Sequence, residues 1–244
     1  MGRGAALVRS TIELLLPRSC AACGGAGANG TDDLICGVCW SRLPALQHPQ
    51  CPRCGHPQRG DACALCAALP PFVRAVRSVC WVPHPVASGI VGSLKYDGWQ
   101  AVAREMAVRM ARLHWPADVV RERAALVPVP LHATRERERG FNQAAALAQG
   151  LREHWRVPAW TDILTRHRTT ETQTRLTPAE RSANVHGAFR VRDGARLHGQ
   201  HIVLVDDVFT TGATLNACAK ALFDSGARIL SYVTFGRAHA GADR

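Results

Sequence analysis

Lysine is almost missing from this chain. Of its 30 basic residues only Lys95 and Lys220 are lysines, and the remainder are arginines. Acidic residues are also in short supply, 19 in 244, which leaves a formal charge of +11. That balance disfavours cationic ligands and biases the protein toward phosphate-bearing partners such as nucleotides, nucleic acid or an anionic membrane. An arginine-rich basic set suits bidentate phosphate contacts, although a GC-rich coding sequence explains the preference for arginine by itself. No run approaches the eighteen or more consecutive apolar residues of a membrane span. Neither G-x-x-x-x-G-K-[ST] nor G-x-G-x-x-G occurs, which excludes a Walker A nucleotide site and the usual dinucleotide fingerprint. The opening "MGRGAALVRSTIELLLP" starts like a signal peptide, but Arg9, Ser10, Thr11 and Glu13 interrupt any apolar segment. Arg18 also stands where a lipoprotein cleavage site needs a small residue. The expectation is a short amphipathic helix leading into a cytoplasmic protein, where paired cysteines hold metal more often than they form disulfides.

Cysteine is plentiful and unevenly placed. Eight of the ten fall in four C-x-x-C pairs within the first 66 residues: Cys20 and Cys23, Cys36 and Cys39, Cys51 and Cys54, Cys63 and Cys66. Loops of twelve and then eight residues separate the members of the first two and last two pairs, the layout of two zinc ribbons. Four thiolates close a tetrahedral Zn2+ site with no position open for catalysis, so both ions are expected to be structural. A disulfide framework and an iron–sulfur cluster are the alternatives, disfavoured by compartment and spacing. Sequential pairing is simpler than a cross-brace, and the spacing is compatible with both. Gly24 and Gly55 follow "CAAC" and "CPRC", where a knuckle calls for positive φ. Two sites, each with two net negative charges, bring the total to about +7. Residues 1–68 hold too few aliphatic side chains to fold without metal. Arg42, Arg53, Arg59, Trp40 and His48 compose a candidate basic, aromatic face for single-stranded nucleic acid, with solvated arginines as the plainer alternative. Cys80 and Cys218 stand alone and read as buried small hydrophobes.

Residues 69–244 alternate strand and helix, with "ALPPFVRAV" read as a linker. Strands are predicted over 76–82, 124–130, 201–208 and the segment "RILSYVTFGRA"; helices are predicted over 98–115, 141–155 and 214–226. The first helix places Trp99, Val102, Met106, Met110 and Leu113 on one face; the last turns Leu215, Cys218, Ala219, Leu222 and Phe223 inward and uses Gly226 as its cap. This rhythm means an α/β fold with a parallel sheet, preceded by a small cysteine-rich domain. Ligands of such sheets bind at the carboxyl ends of the strands. There "VLVDDVFTTGATL" places Asp206 and Asp207 beside a loop of threonines and Gly212 that opens a helix, a setting for a phosphate next to a hydroxyl-rich sugar. A capped turn after a core strand explains Thr214 but not two adjacent carboxylates.

The same stretch resembles the phosphoribosyl pyrophosphate signature of type I phosphoribosyltransferases, and the resemblance implies their Rossmann-like fold. By that similarity Asp206 and Asp207 bind the ribose diol and stabilise the oxocarbenium-like centre, while Val208, Phe209, Thr210, Thr211, Gly212, Ala213 and Thr214 enclose the ribose 5-phosphate. "LVPVPLHATRERERGFNQAAALA" and "RHRTTETQTRLTPAERSANVHGAF", behind a cysteine-rich head, are similar to segments of the ComF/GntX family associated with competence and DNA uptake. The resemblance then makes Leu131 and His132 the pyrophosphate loop, with Arg135, Arg137 and Arg139 placed to meet its charge and a solvated basic turn as their alternative. Residues 166–188 have little apolar content and read as either disordered or a lid that orders over substrate, with Gln173, Arg175, Arg181 and Asn184 as the lid candidates. Lys95 in "GSLKYDGW" is a further phosphate candidate, with a surface lysine as its alternative. Two functions follow: Mg2+-dependent transfer from phosphoribosyl pyrophosphate to an unnamed acceptor, or a non-catalytic adaptor that senses phosphoribosyl pyrophosphate and holds single-stranded DNA or DNA-uptake and helicase proteins.

Overall fold

The computed structural model describes residues 19–25, 34–58, 63–96, 100–167, 187–195 and 197–239. Its strands are β1 (Val73–Val82), β2 (Arg123–Pro128), β3 (Leu164–Arg166), β4 (Phe189–Val191), β5 (His201–Phe209) and β6 (Ile229–Ala238). β1, β6, β5 and β2 form one parallel sheet in that order, and β3 pairs antiparallel with β4. The apolar run of β5 lies at an inner position, where a parallel strand is covered on both faces and needs apolar side chains on each. Its side chains alternate accordingly. Val203 and Val205 join Val233 and Phe235 in one core, while Ile202 and Leu204 join Leu230 and Tyr232 in the other.

The helices are α1 (Gly37–Ser41), α2 (Pro85–Tyr96), α3 (Val102–Ala111), α4 (Ala117–Glu122), α5 (Ala133–Arg139), α6 (Gln143–Trp155) and α7 (Ala213–Asp224). α2, α3 and α6 cover the first face and α7 the second. Val102, Met106 and Met110 are buried as the helical period predicts, and Leu113 packs partly buried against them. α3 and α6 approach closely because Gly150 has no side chain: a Cβ there would lie 2.6 Å from Ala107 Cβ. Asn142 starts α6 by accepting the amides of Ala144 and Ala145.

The head lies against the free edge of β1. Val76 N–H donates to Arg53 O at 2.8 Å and Trp81 N–H to Pro44 O at 2.9 Å, so edge amides that would otherwise be open to another chain are paired. At the opposite edge Leu126 donates to Pro158 O and accepts from Trp160 N–H.

Several expectations need correction. The stretch read as linker is strand from Val73 onward, because Val73, Ala75 and Val76 are buried. α2 escaped the sequence reading since a proline at its start and two glycines within it blur its period, yet Ala87, Ile90, Val91 and Leu94 form a buried stripe. Phe223 does not point inward. It is 40% exposed and stacks on Phe72 with ring centroids 4.2 Å apart. The predicted N-terminal helix lies outside the described residues. Among the described residues no helix is long and apolar enough to cross a membrane.

Candidate functional site

Adjacent strand residues face opposite sides of a sheet, and the two carboxylates at the carboxyl end of β5 obey this. Asp207, on the face of Val203 and Val205, is buried and meets the Lys95 ammonium, delivered by the last turn of α2. Asp206 is half-buried and faces the α7 side, where its charge is felt by Cys218 and Arg166. Its Oδ1 accepts the Asp207 amide at 2.9 Å.

Burial and then the Asp207 charge push the Asp206 carboxyl well above the usual carboxylate range. Burial alone would lower Lys95, but the charges of Asp207 and Asp206 outweigh it and the ammonium is held above its usual range. Arg139 opposes that rise, which brings α5 near the same point, and Arg135 and Asp206 both act on Arg166 at the end of β3. Cations from α2, α5 and β3 thus converge on two carboxylates. Burial lowers the Arg166 guanidinium, which lies 5.5 Å from the centre of the Phe189 ring. Arg166 was missed as a site residue because nothing in the sequence distinguishes it from the other arginines of its segment.

After Phe209 the chain turns through 210–212 into α7. Gly212 caps the helix with φ +78°, and a Cβ there would come within 2.9 Å of Phe209 Cζ. Thr211 Oγ1 accepts the Ala213 amide at 3.4 Å, and the first turn, Ala213 to Asn216, has no acidic residue. Threonine hydroxyls beside the positive end of a twelve-residue helix are a setting that suits an anion. Loop, carboxylates and Lys95 therefore adjoin: a helix N-terminus, two carboxylates able to accept from hydroxyls and a half-buried cation.

Of the remaining candidates, Leu131 and His132 lie half-buried just beyond β2, and His132 caps α5 through Nδ1, which accepts the Thr134 amide at 3.3 Å. An accepting Nδ1 puts the neutral ring's proton on Nε2. Arg139 donates to Gln143 Oε1 at 2.8 Å, while Arg135 and Arg137 are exposed. Gln173, Arg175, Arg181 and Asn184 lie outside the described residues.

In the head the thiols gather sequentially: Cys20, Cys23, Cys36 and Cys39 in one group, Cys51, Cys54, Cys63 and Cys66 in the other. Cys20 and Cys39 Sγ are 3.8 Å apart, and the pairs Cys51 with Cys66 and Cys54 with Cys63 are each 3.4 Å apart. Zinc–sulfur bonds of about 2.3 Å in a tetrahedron require edges of about 3.8 Å, so the donor set fits zinc. Amides point at the sulfurs, Cys36 N–H at Cys20 Sγ and Cys54 N–H at Cys51 Sγ. Burial raises the Cys20 thiol, but the Cys36 and Ala22 amides outweigh it and bring it down to about 6; Cys51 comes down to about 7 in the same way. Gly24 and Gly55 have φ of +70° and +68°.

The expected nucleic-acid face loses two members. Arg53 spends its guanidinium on the carbonyls of Val73, Cys66, Leu69 and Pro70. Trp40 donates to Glu105 and lies under Arg109, 4.4 Å from its ring centre. Arg42 and His48 are exposed, and Arg59 lies outside the described residues.

Comparison with known proteins finds two domain matches in this chain. A double zinc ribbon domain matches residues 11–70, and a phosphoribosyl transferase domain matches residues 137–244. The DNA utilization protein YhgH of Salmonella typhimurium is 35% identical over 203 residues, covering 79% of this chain and 86% of its own. The chain belongs to the ComF/GntX family. ComFC, a competence protein of Bacillus subtilis, is 28% identical over 206 residues, 80% of each chain. Competence protein F of Haemophilus influenzae is 38% identical over 99 residues, 40% of this chain and 43% of its own. This ComF/GntX chain therefore carries a type I phosphoribosyltransferase fold behind a cysteine-rich double zinc ribbon.

Proposed function

We propose that the chain binds Mg2+–phosphoribosyl pyrophosphate at 206–214 and transfers its phosphoribosyl group to an acceptor in the use of DNA. The observation that carries the reading is the junction of Asp206 and Asp207 with the helix N-terminus after Gly212. The 5-phosphate takes the amides of 211–214 and the Thr210, Thr211 and Thr214 hydroxyls. The ribose hydroxyls donate to Asp206 and Asp207. Lys95 pairs with Asp207 and orients it, and together with Arg139 it faces the incoming pyrophosphate. His132 and Leu131 receive its far end. Bound Mg2+ would neutralise pyrophosphate oxygens beside the two aspartates. In the reaction the bond from the anomeric carbon to pyrophosphate breaks, the leaving group takes the electron pair, and the acceptor's lone pair forms the new bond from the opposite face. Positive charge grows at the ring meanwhile, and the carboxylates stabilise it because they are already positioned and partly shielded from water.

The names of the relatives, DNA utilization protein and competence protein, support a role in handling DNA. With Arg53 and Trp40 engaged in the fold, an adaptor that grips a single strand through the head has fewer residues to do it with. Titration calorimetry of Mg2+–phosphoribosyl pyrophosphate into the wild type and an Asp206→Ala/Asp207→Ala variant tests the reading. Binding that disappears in the variant supports it, and pyrophosphate release with candidate acceptors then identifies the chemistry. An unresponsive wild type that instead binds single-stranded DNA in a salt-sensitive way would favour the adaptor.

A further inference from the structure

The ribose 5-phosphate loop rests on the second cysteine cluster by two routes. Beneath the loop, the Phe209 ring fills the space next to Gly212, where a Cβ would stand 2.9 Å from Cζ. Arg237 of β6 lies against that ring, its Cζ 4.8 Å from the centroid. It is 4% exposed, and its Nη1 donates to Cys54 O at 2.6 Å. The second route enters α7 from the side. Asn216 closes the first turn by donating its amide to Gly212 O at 2.7 Å. Its side chain donates to Ala68 O at 2.9 Å, two residues beyond Cys66, and accepts from the Tyr232 hydroxyl at 3.1 Å. Arg237, stacked under the floor of the loop, and Asn216, in the first turn of its helix, thus donate to backbone carbonyls at and beside the Cys51, Cys54, Cys63 and Cys66 knuckles.

We propose that Arg237 and Asn216 are positioning residues through which the second cysteine cluster holds the anion-binding loop in its binding shape, so that an ion in that cluster sets the affinity for a sugar phosphate. The identity of the anion rests on the function proposed above; the mechanical link does not. The physical reason is preorganisation: amides that must converge on one phosphate bind weakly if they first have to be ordered. Four thiolates drawn onto one ion fix the 54 and 66–68 carbonyls, and those carbonyls fix the loop. Without the ion the like-charged or protonated thiols lose their common centre and the carbonyls lose their fixed place.

The test uses the full chain with Asn216→Ala, which keeps a good helix former at that position, and Cys63→Ser, which removes one ligand of the second cluster. Zinc per chain is measured by elemental mass spectrometry, backbone opening over 209–216 by hydrogen exchange without ligand, and ribose 5-phosphate affinity by calorimetry. Asn216→Ala should keep the wild-type zinc content while exchange over 209–216 accelerates and ribose 5-phosphate binding weakens roughly tenfold, the loss of one or two hydrogen bonds. Cys63→Ser should lower zinc by one ion per chain and accelerate exchange over the same peptide at least as much. Unchanged exchange over 209–216 in both variants overturns the link. Faster exchange in a protein whose wild type ignores ribose 5-phosphate would sustain the link and refute the sugar-phosphate reading, so the two fail separately.

Discussion

Replacing Lys95 by methionine should leave Asp206 and Asp207 without their half-buried counter-charge. The Lys95 side chain is 22% exposed and that of Asp207 is 6% exposed, so water can compensate little at the carboxylate and somewhat more at the ammonium. Breaking a buried pair from one side costs about 3–5 kcal/mol. Unit charges 4 Å apart interact by about 4 kcal/mol at an effective dielectric of 20, in the same range. Partial exposure places this pair near the lower end, about 3 kcal/mol, or a fall in Tm of about 6–12 °C for a chain of this size. The sign of the pH dependence follows from the carboxyls. A carboxyl whose folded pKa lies above its unfolded one contributes stability that is present below the unfolded pKa and lost as pH rises through the folded value. Without Lys95 the Asp206 carboxyl, already raised, rises further, so the deficit should be small at pH 5 and large at pH 8. Denaturant melts of wild type and Lys95→Met at both pH values measure it. A deficit under about 1 kcal/mol at pH 8, or one equal at both pH values, would refute the claim that Lys95 neutralises this pair. Asp206→Asn tests the converse. It leaves one lysine against one aspartate and retains an acceptor for the Asp207 amide, so it should stabilise the ligand-free protein by about 1 kcal/mol at pH 8 while abolishing binding of Mg2+–phosphoribosyl pyrophosphate.

The zinc content of the purified chain should be two ions, and a strong chelator should lower the denaturant midpoint and open Cys51–Cys66 to thiol alkylation; a chain that keeps its midpoint after complete metal removal would contradict a structural role. His201, 2% exposed with Nε2 2.9 Å from Ser231 Oγ, is brought down to about 4 by burial. A lowered folded pKa gives stability that is present above about 6.5 and lost as pH falls toward about 4, so up to about 3 kcal/mol should disappear across that window and His201→Gln should flatten the urea-melt profile there. Gly212→Ala must adopt φ +78° beside Phe209, a strain of about 1–2 kcal/mol before any clash, and calorimetry should show ribose 5-phosphate affinity reduced at least tenfold.

Much of this was legible in the chain because the signals are local. Four C-x-x-C pairs, a nine-residue apolar strand with two terminal aspartates and a Thr/Gly loop each specify their chemistry within a dozen residues. Helical period found α3, α6 and α7 because their apolar residues recur on one face. It failed for α2, where proline and glycine interrupt the pattern, and for Phe223, whose partner Phe72 is 151 positions away in sequence. Short strands such as β3 and β4 carry three residues each, too few for a period to show.

Sequence alone therefore determined the α/β class, the two cysteine clusters and the loop proposed to bind an anion, since each depends on residue type at short spacing. Only the tertiary structure decided that Asp206 and Asp207 face opposite sides of the sheet, that Lys95 answers one and Arg166 lies near the other, and that Arg53 and Trp40 serve the fold. It also decided that the second cysteine cluster backs the phosphate loop. Those facts depend on which distant segments the parallel sheet brings to one edge, and charge and hydrogen bonding act through space whatever the separation along the chain.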